Sequence, residues 1–278
     1  MTGAILSFCL MAVAARELAG TISVFEILFF RSVIGLCVVT MIILGMKRKQ
    51  LFQTRRIKTH LLRNVFHFGG QFGWVWGIGL LPLATVFALE FTVPVWVTII
   101  AALFLHERVT IYKVIAVTLG LIGVGVIVQP GIAIFDSASF IVLGAAICYA
   151  VAHSTNKSLT SSEAPITILF YMCLVQLPIG LTFSLAEWTW PTVLQLPWLM
   201  VIGLTALTGH YCLSRAMQLS DVGVVITLEF FRLPLIALIG VLLYSEGFDL
   251  SILLGGALIL VGNLFNIQRR SSIRSMKA

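Results

Sequence analysis

Glu90-Phe91-Thr92-Val93-Pro94 and Glu229-Phe230-Phe231-Arg232-Leu233-Pro234 stand 139 residues apart and read alike. In each, an acid–aromatic pair is followed within five positions by a proline. An apolar run then leads to a second glutamate (Glu107, Glu246) and on to a glycine-rich apolar run. The shared offset marks a duplicated unit. Cys9 falls against Cys148 at the same offset, and Ile27-Leu28-Phe29-Phe30 echoes Thr167-Ile168-Leu169-Phe170 more weakly. Both copies are almost wholly apolar. A repeat laid on a membrane-spanning pattern is the mark of a transporter architecture.

Composition agrees. Of 278 residues, 59% are hydrophobic and 10% charged, against about 25% charged in a soluble domain. So much apolar surface needs lipid as its solvent. The net charge of +7 would suggest nucleic acid in a soluble chain. Here the cations cluster between apolar runs, so they point to membrane orientation and no nucleic-acid partner is expected. The five cysteines lie inside apolar segments with no metal-ligand spacing and read as small core residues. No metal or cofactor is expected. Residues 1–15 end in a signal-like Ala-Val-Ala-Ala but lack a basic start, and read as a short first span.

About 20 apolar residues cross roughly 30 Å of hydrocarbon as a helix. Ten runs qualify: roughly 2–16, 22–45, 62–80, 84–105, 110–129, 138–157, 164–186, 194–214, 221–244 and 249–267. Lipid offers no partner to a free amide, so helices are the default, and the alternation of a β-barrel is missing. The expected fold is all-α integral membrane, with ten transmembrane helices as two inverted five-helix repeats over 1–131 and 136–278. An odd number of spans per copy makes the second copy enter upside down. With both termini cytoplasmic, fifteen of the 18 lysines and arginines, Arg63 among them, fall on the inner side.

Two segments carry a family resemblance. Leu80-Leu81-Pro82-Leu83-Ala84-Thr85-Val86-Phe87-Ala88-Leu89 continues through Pro94 to Leu105-His106-Glu107-Arg108-Val109, and Phe25-Glu26-Ile27-Leu28-Phe29-Phe30-Arg31-Ser32 precedes it. Over essentially its whole length the chain resembles the EamA-type permeases of the drug/metabolite transporter superfamily, and most of all their S-adenosylmethionine and riboflavin uptake-like subgroup. The resemblance implies a bacterial inner-membrane carrier of a small molecule. Its departure is that the family usually has a small or polar residue where this chain has Glu90 and Glu229.

Ionisable groups inside a span are costly and tend to face a wet cavity. Arg31, Glu90, Glu229 and Arg232 lie deep. As symmetry mates, Glu90 and Glu229 would put carboxylates on opposite walls of one cavity, suiting a cationic or zwitterionic substrate or proton exchange. Alternatively Glu229 and Arg232 neutralise each other at i,i+3 and Glu90 pairs with Arg31. Arg31 either grips a substrate carboxylate or phosphate or ties its helix to a neighbour. Trp74 and Trp76 can stack on a flat or cationic substrate. Tyr171 and His210 complete the expected lining, with His153 and His210 as packing residues or a proton relay. Pro94 and Pro234 each remove a helix hydrogen bond just past a glutamate and serve as kinks or gates. Glu107 and Glu246 read as terminal caps or ion-pair partners. The glycines of spans five and ten fit close packing on a scaffold or homodimer face.

No G-x-x-x-x-G-K-[ST], H-E-x-x-H or G-x-S-x-G segment occurs, so neither an ATP-driven pump nor a familiar enzyme is expected. The expected activity is alternating-access movement of a small cationic or zwitterionic metabolite or drug, coupled to protons. The rival expectation is a proton-independent exchanger or uptake carrier for a flat metabolite such as S-adenosylmethionine or riboflavin.

Overall fold

A computed structural model of the protein describes residues 1–104, 110–128, 137–220, 225, 228–247 and 249–275. Among these there are helices and turns but no strands. The first half holds α1 (Thr2–Leu18), α2 (Val24–Gly45), α3 (Ile57–Leu80), α4 (Leu83–Glu90), α5 (Val93–Phe104) and α6 (Ile111–Val128). The second holds α7 (Ser137–Thr160), α8 (Pro165–Ser184), α9 (Leu196–Leu219), α10 (Arg232–Tyr244) and α11 (Leu250–Ser275). Glu107 and the junction expected between 131 and 136 lie outside the described residues.

Local chemistry sets several of these limits. Ser23 and Glu26 form a reciprocal capping box at the start of α2, which satisfies two orphan amides. Pro165 opens α8, where its missing amide costs nothing. Among the described residues, five helical segments are long and apolar enough to cross a membrane outright: Val24–Gly45, Leu83–Ile100, Ser137–Thr160, Pro165–Glu187 and Leu196–Leu219. The helix α3 has the length but buries Arg63, Asn64, His67 and Gln71, so its polarity is turned inward. Arg63, placed by the sequence pattern among the inner-side cations, is 3% exposed inside α3. It snorkels to no surface.

The sequence offset reappears in the helices. Ile57–Leu80 and Leu196–Leu219 both run 24 residues, and α5 starts at Val93 where α10 starts at Arg232. Equivalent helices run in opposite senses. Between α6 and α11, Gly262 packs on Ala116 and Gly255 on Gly123. Between α2 and α8, Phe29 lies by Gly180 and Gly35 by Cys173. In each pair one number rises as the other falls, so the mates are antiparallel and the repeats are inverted. The halves also interlock. Gly70 and Gly77 of α3 accept Tyr149 and Val142 of α7, while Gly209 of α9 accepts Phe8 of α1. Gly120, Gly123, Gly255, Gly256 and Gly262 therefore serve close packing inside one chain, while among the described residues a Cβ on Gly125 would meet nothing within 4 Å. A methyl on Gly123 would stand 2.6 Å from the Gly255 carbonyl oxygen, a distance only a bare backbone tolerates.

Polar clusters close the bundle at both ends. At one end Arg16 donates to Glu246 at 2.9 Å and to the Leu81 carbonyl at 2.5 Å. The second Glu246 oxygen accepts the Leu83 amide at 2.9 Å, capping α4, and the Tyr244 hydroxyl donates to Glu17 at 2.9 Å. Glu246 is thus both the cap and the ion-pair partner. At the other end Glu163 accepts from the Thr54 hydroxyl and stands 2.6 Å from His60 Nε2. Arg56 reaches the Ser158 carbonyl at 2.6 Å, and Lys157 the Met217 carbonyl at 2.9 Å.

Candidate functional site

The site forms where two spans break. The fourth span is α4, a turn at Phe91-Thr92, then α5. Pro94 has no amide to offer the Glu90 carbonyl four residues back, and the helix parts between them. The Thr92 hydroxyl takes up the Leu89 carbonyl at 2.6 Å, and Asn263 of α11 donates to the Phe91 carbonyl at 3.4 Å. Freed backbone groups inside a membrane must find such partners. The ninth span repeats the device, with Leu228 and Glu229 helical, a turn at Phe230-Phe231, and α10 starting at Arg232 with Pro234 in its first turn. Both prolines therefore sit in the first turn of a second half-helix, where a proline is tolerated. The discontinuity precedes them.

These breaks bring three charges together. Arg232 donates to Glu90 at 3.2 Å and lies 3.8 Å from Glu229. Trp74 Nε1–H donates to the other Glu90 oxygen at 2.9 Å. The Arg232 guanidinium carbon is 4.9 Å from the Phe8 ring centre, 5.1 Å from Phe91 and 5.5 Å from Phe87, so aromatic faces share in holding it. Glu229 Oε1 has no hydrogen-bond partner among the described residues. Two carboxylates against one guanidinium leave one negative charge over when all are ionised.

The charges line a cavity of about 30 Å³ with Tyr149, His153, His210 and Gln71. That volume admits about two waters. Sites for drug-sized ligands occupy about 300–1,000 Å³, so the cavity as it stands is too small for one. Phe8 and His67 flank His210 edge-on, at 5.2 and 4.8 Å between ring centres.

Of the residues expected at the site, Glu90, Glu229, Arg232, Trp74 and His210 line this cavity; Arg31, Trp76 and Tyr171 do not. Glu90 pairs with Arg232 and not with Arg31. Arg31 donates to Gln176 of α8 at 2.5 Å, which ties α2 to α8. Trp76 is partly buried against the apolar core. Tyr171 donates its hydroxyl to the Phe52 carbonyl at 2.9 Å and stacks near His60, in the closing cluster at one end. Gln71, Tyr149 and Phe8 escaped the sequence reading, because a lone polar or aromatic residue in an apolar run carries no mark of the face it occupies.

The acids obey the internal symmetry and the cations do not. Glu90 maps on Glu229, whereas Arg31, Arg63 and Arg232 fall against Phe170, Ile202 and Val93.

Comparison with known proteins bears on this geometry. The chain matches the EamA-like transporter family twice, over residues 1–129 and 136–268. It is 26% identical over 265 residues to an S-adenosylmethionine uptake transporter of Rickettsia felis, covering 95% of this chain and 90% of that one. It is 30% identical over 223 residues to a riboflavin transporter of Vibrio cholerae, covering 79% and 74%. A solved crystal structure superposes with a TM-score of 0.69 at 18% identity over 96% of both chains, which supports the fold alone.

Proposed function

The chain belongs to the EamA-like transporter family, a multi-pass membrane family of carriers, and from that premise we propose that it moves a small cationic or zwitterionic metabolite across the bacterial inner membrane by alternating access coupled to protons. The observation that carries the proposal is the Glu90–Arg232–Glu229 cluster at two helix breaks. One guanidinium cannot neutralise two carboxylates. The surplus charge attracts either a proton or a substrate cation, and competition between the two couples their movements. Trp74, held by Glu90, adds an aromatic surface for a cation or flat ring. The clusters at Arg16–Glu246 and His60–Glu163 close opposite ends, and each would open in turn while the other stays shut. Pro94 and Pro234 supply the bending points.

In this scheme both termini are cytoplasmic. Lys47, Arg48, Lys49, Arg55 and Arg56 between α2 and α3, with Lys58 in the first turn of α3, support that side. The paired units are 1–131 and 136–278.

The test is transport in proteoliposomes across a range of pH, using Glu90→Gln and Glu229→Gln. Each variant is expected to lose most of its transport or its dependence on the proton gradient. Wild-type behaviour in both removes the carboxylates from the mechanism. The names of the relatives favour a second reading, a proton-independent carrier of S-adenosylmethionine or riboflavin. Collapse of the proton gradient with counter-substrate inside the vesicle separates the two, because only the exchanger keeps its rate.

A further inference from the structure

Arg31 and Arg63 are each 3% exposed, and among the described residues neither meets a carboxylate. Arg31 donates to the Gln176 amide oxygen at 2.5 Å, and Arg63 to the Asn64 amide oxygen at 2.6 Å. Gln176 binds both to one network through its own amide, 2.9 Å from His67 Nδ1 and 3.4 Å from the Asn64 carbonyl. Amide oxygens satisfy a hydrogen bond but cancel no charge, and charges buried without opposites are expensive. Arg31 Nε and Nη1, Arg63 Nε and His67 Nε2 have no hydrogen-bond partner among the described residues. The guanidinium nitrogens among these, with the His67 imidazole nitrogen beside them, leave donors for the oxygens of a carboxylate or phosphate. The network meets the acidic cavity where the His67 and His210 rings stand 4.8 Å apart.

We infer that Arg31 and Arg63 form an anion subsite that takes the carboxylate or phosphate of the transported molecule, with its remainder directed through His67 and His210 toward the cavity. The substrate class is then a metabolite carrying an anionic group at one end. The inference rests on the transport proposal for access to the site, but not on the acids as its cation-binding wall.

The measurement is equilibrium binding to the purified full chain, with two ligand pairs that differ by one anionic group: S-adenosylmethionine against its decarboxylated form, and riboflavin phosphate against riboflavin. The wild type is expected to prefer the anionic member of at least one pair by about tenfold, roughly 1.4 kcal/mol. Arg31→Gln and Arg63→Gln should erase that preference while the member of each pair without the anionic group binds as before. If Arg31→Gln fails to fold, Arg31→Lys, which keeps the charge and loses the fork, should retain part of the preference. Absence of a preference in the wild type, or its survival in both variants, overturns the inference. Equally strong binding of inorganic phosphate alone also overturns it, by making the subsite one for free ions. A preference that depends on Arg31 but ignores Glu90→Gln and Glu229→Gln upholds the subsite, while wild-type transport by those two variants removes the acidic-cavity proposal and leaves the subsite standing.

Discussion

Arg232 is held by ion pairs and by rings. Glu90 and Glu229 supply charge, and Phe8, Phe87 and Phe91 supply π-faces. Its removal leaves Glu229, which is buried, and Glu90, which is half-buried, without their shared cation. Breaking a buried pair from one side costs about 3–5 kcal/mol, so Arg232→Met is expected to lower thermal stability by several degrees. Adding Glu90→Gln should recover part of the loss, and a double-mutant cycle measures the coupling. Additive losses would show that the pair contributes nothing. At this scale the sequence was informative where charge stood alone in an apolar run: Glu90, Glu229 and Arg232 could be singled out. Arg63 could not, since it stands six residues beyond Ile57, on the edge of a basic stretch. There, burial and positive-inside placement look alike in one dimension. The exclusion of Tyr171 has a similar cause. Residues on α8 are apolar nearly all round, so no stripe shows which way its side chains turn.

The broken helix is the element on which the proposed motion turns. Proline is the local cause in the fourth span, since its absent amide leaves the Glu90 carbonyl unpaired along the helix. Pro94→Ala restores that donor and favours a continuous α4–α5. Thermal stability is expected to stay level or rise, while transport falls several-fold. Unchanged transport would reduce the break to a packing kink. The elements themselves were largely legible, because a bilayer demands both length and apolarity from every pass. The sequence placed one continuous span at 84–105, while the structure resolves it into α4 and α5. A proline announces that a helix is disturbed, but whether it bends or parts depends on partners such as Asn263, distant in the chain.

For the whole molecule, the polar clusters at the ends set the energy of the proposed opening. Arg16, Glu246, Leu81 and Leu83 tie α1 to the α3–α4 turn and to the segment after α10. Glu246→Gln weakens that tie and removes charge from the cap of α4. A cysteine placed at Leu83 in a background without native cysteines should then react several-fold faster with a water-soluble maleimide added from that side. An unaltered rate would mean that this end opens elsewhere. The inverted halves were visible in advance because a fixed offset survives any amount of folding. The interlocking of α3 with α7 and α1 with α9 was not, since helix pairing across a repeat leaves no period in the sequence. Finally, matched acids with unmatched cations make the two faces chemically unequal. A perfectly symmetric carrier would grip its cargo alike from either compartment; here Arg31, Arg63 and Arg232 belong to particular sides of the pseudo-axis. Entry and exit should therefore show unequal KM values in oppositely oriented vesicles, while without any gradient Vmax/KM stays the same both ways, as detailed balance requires.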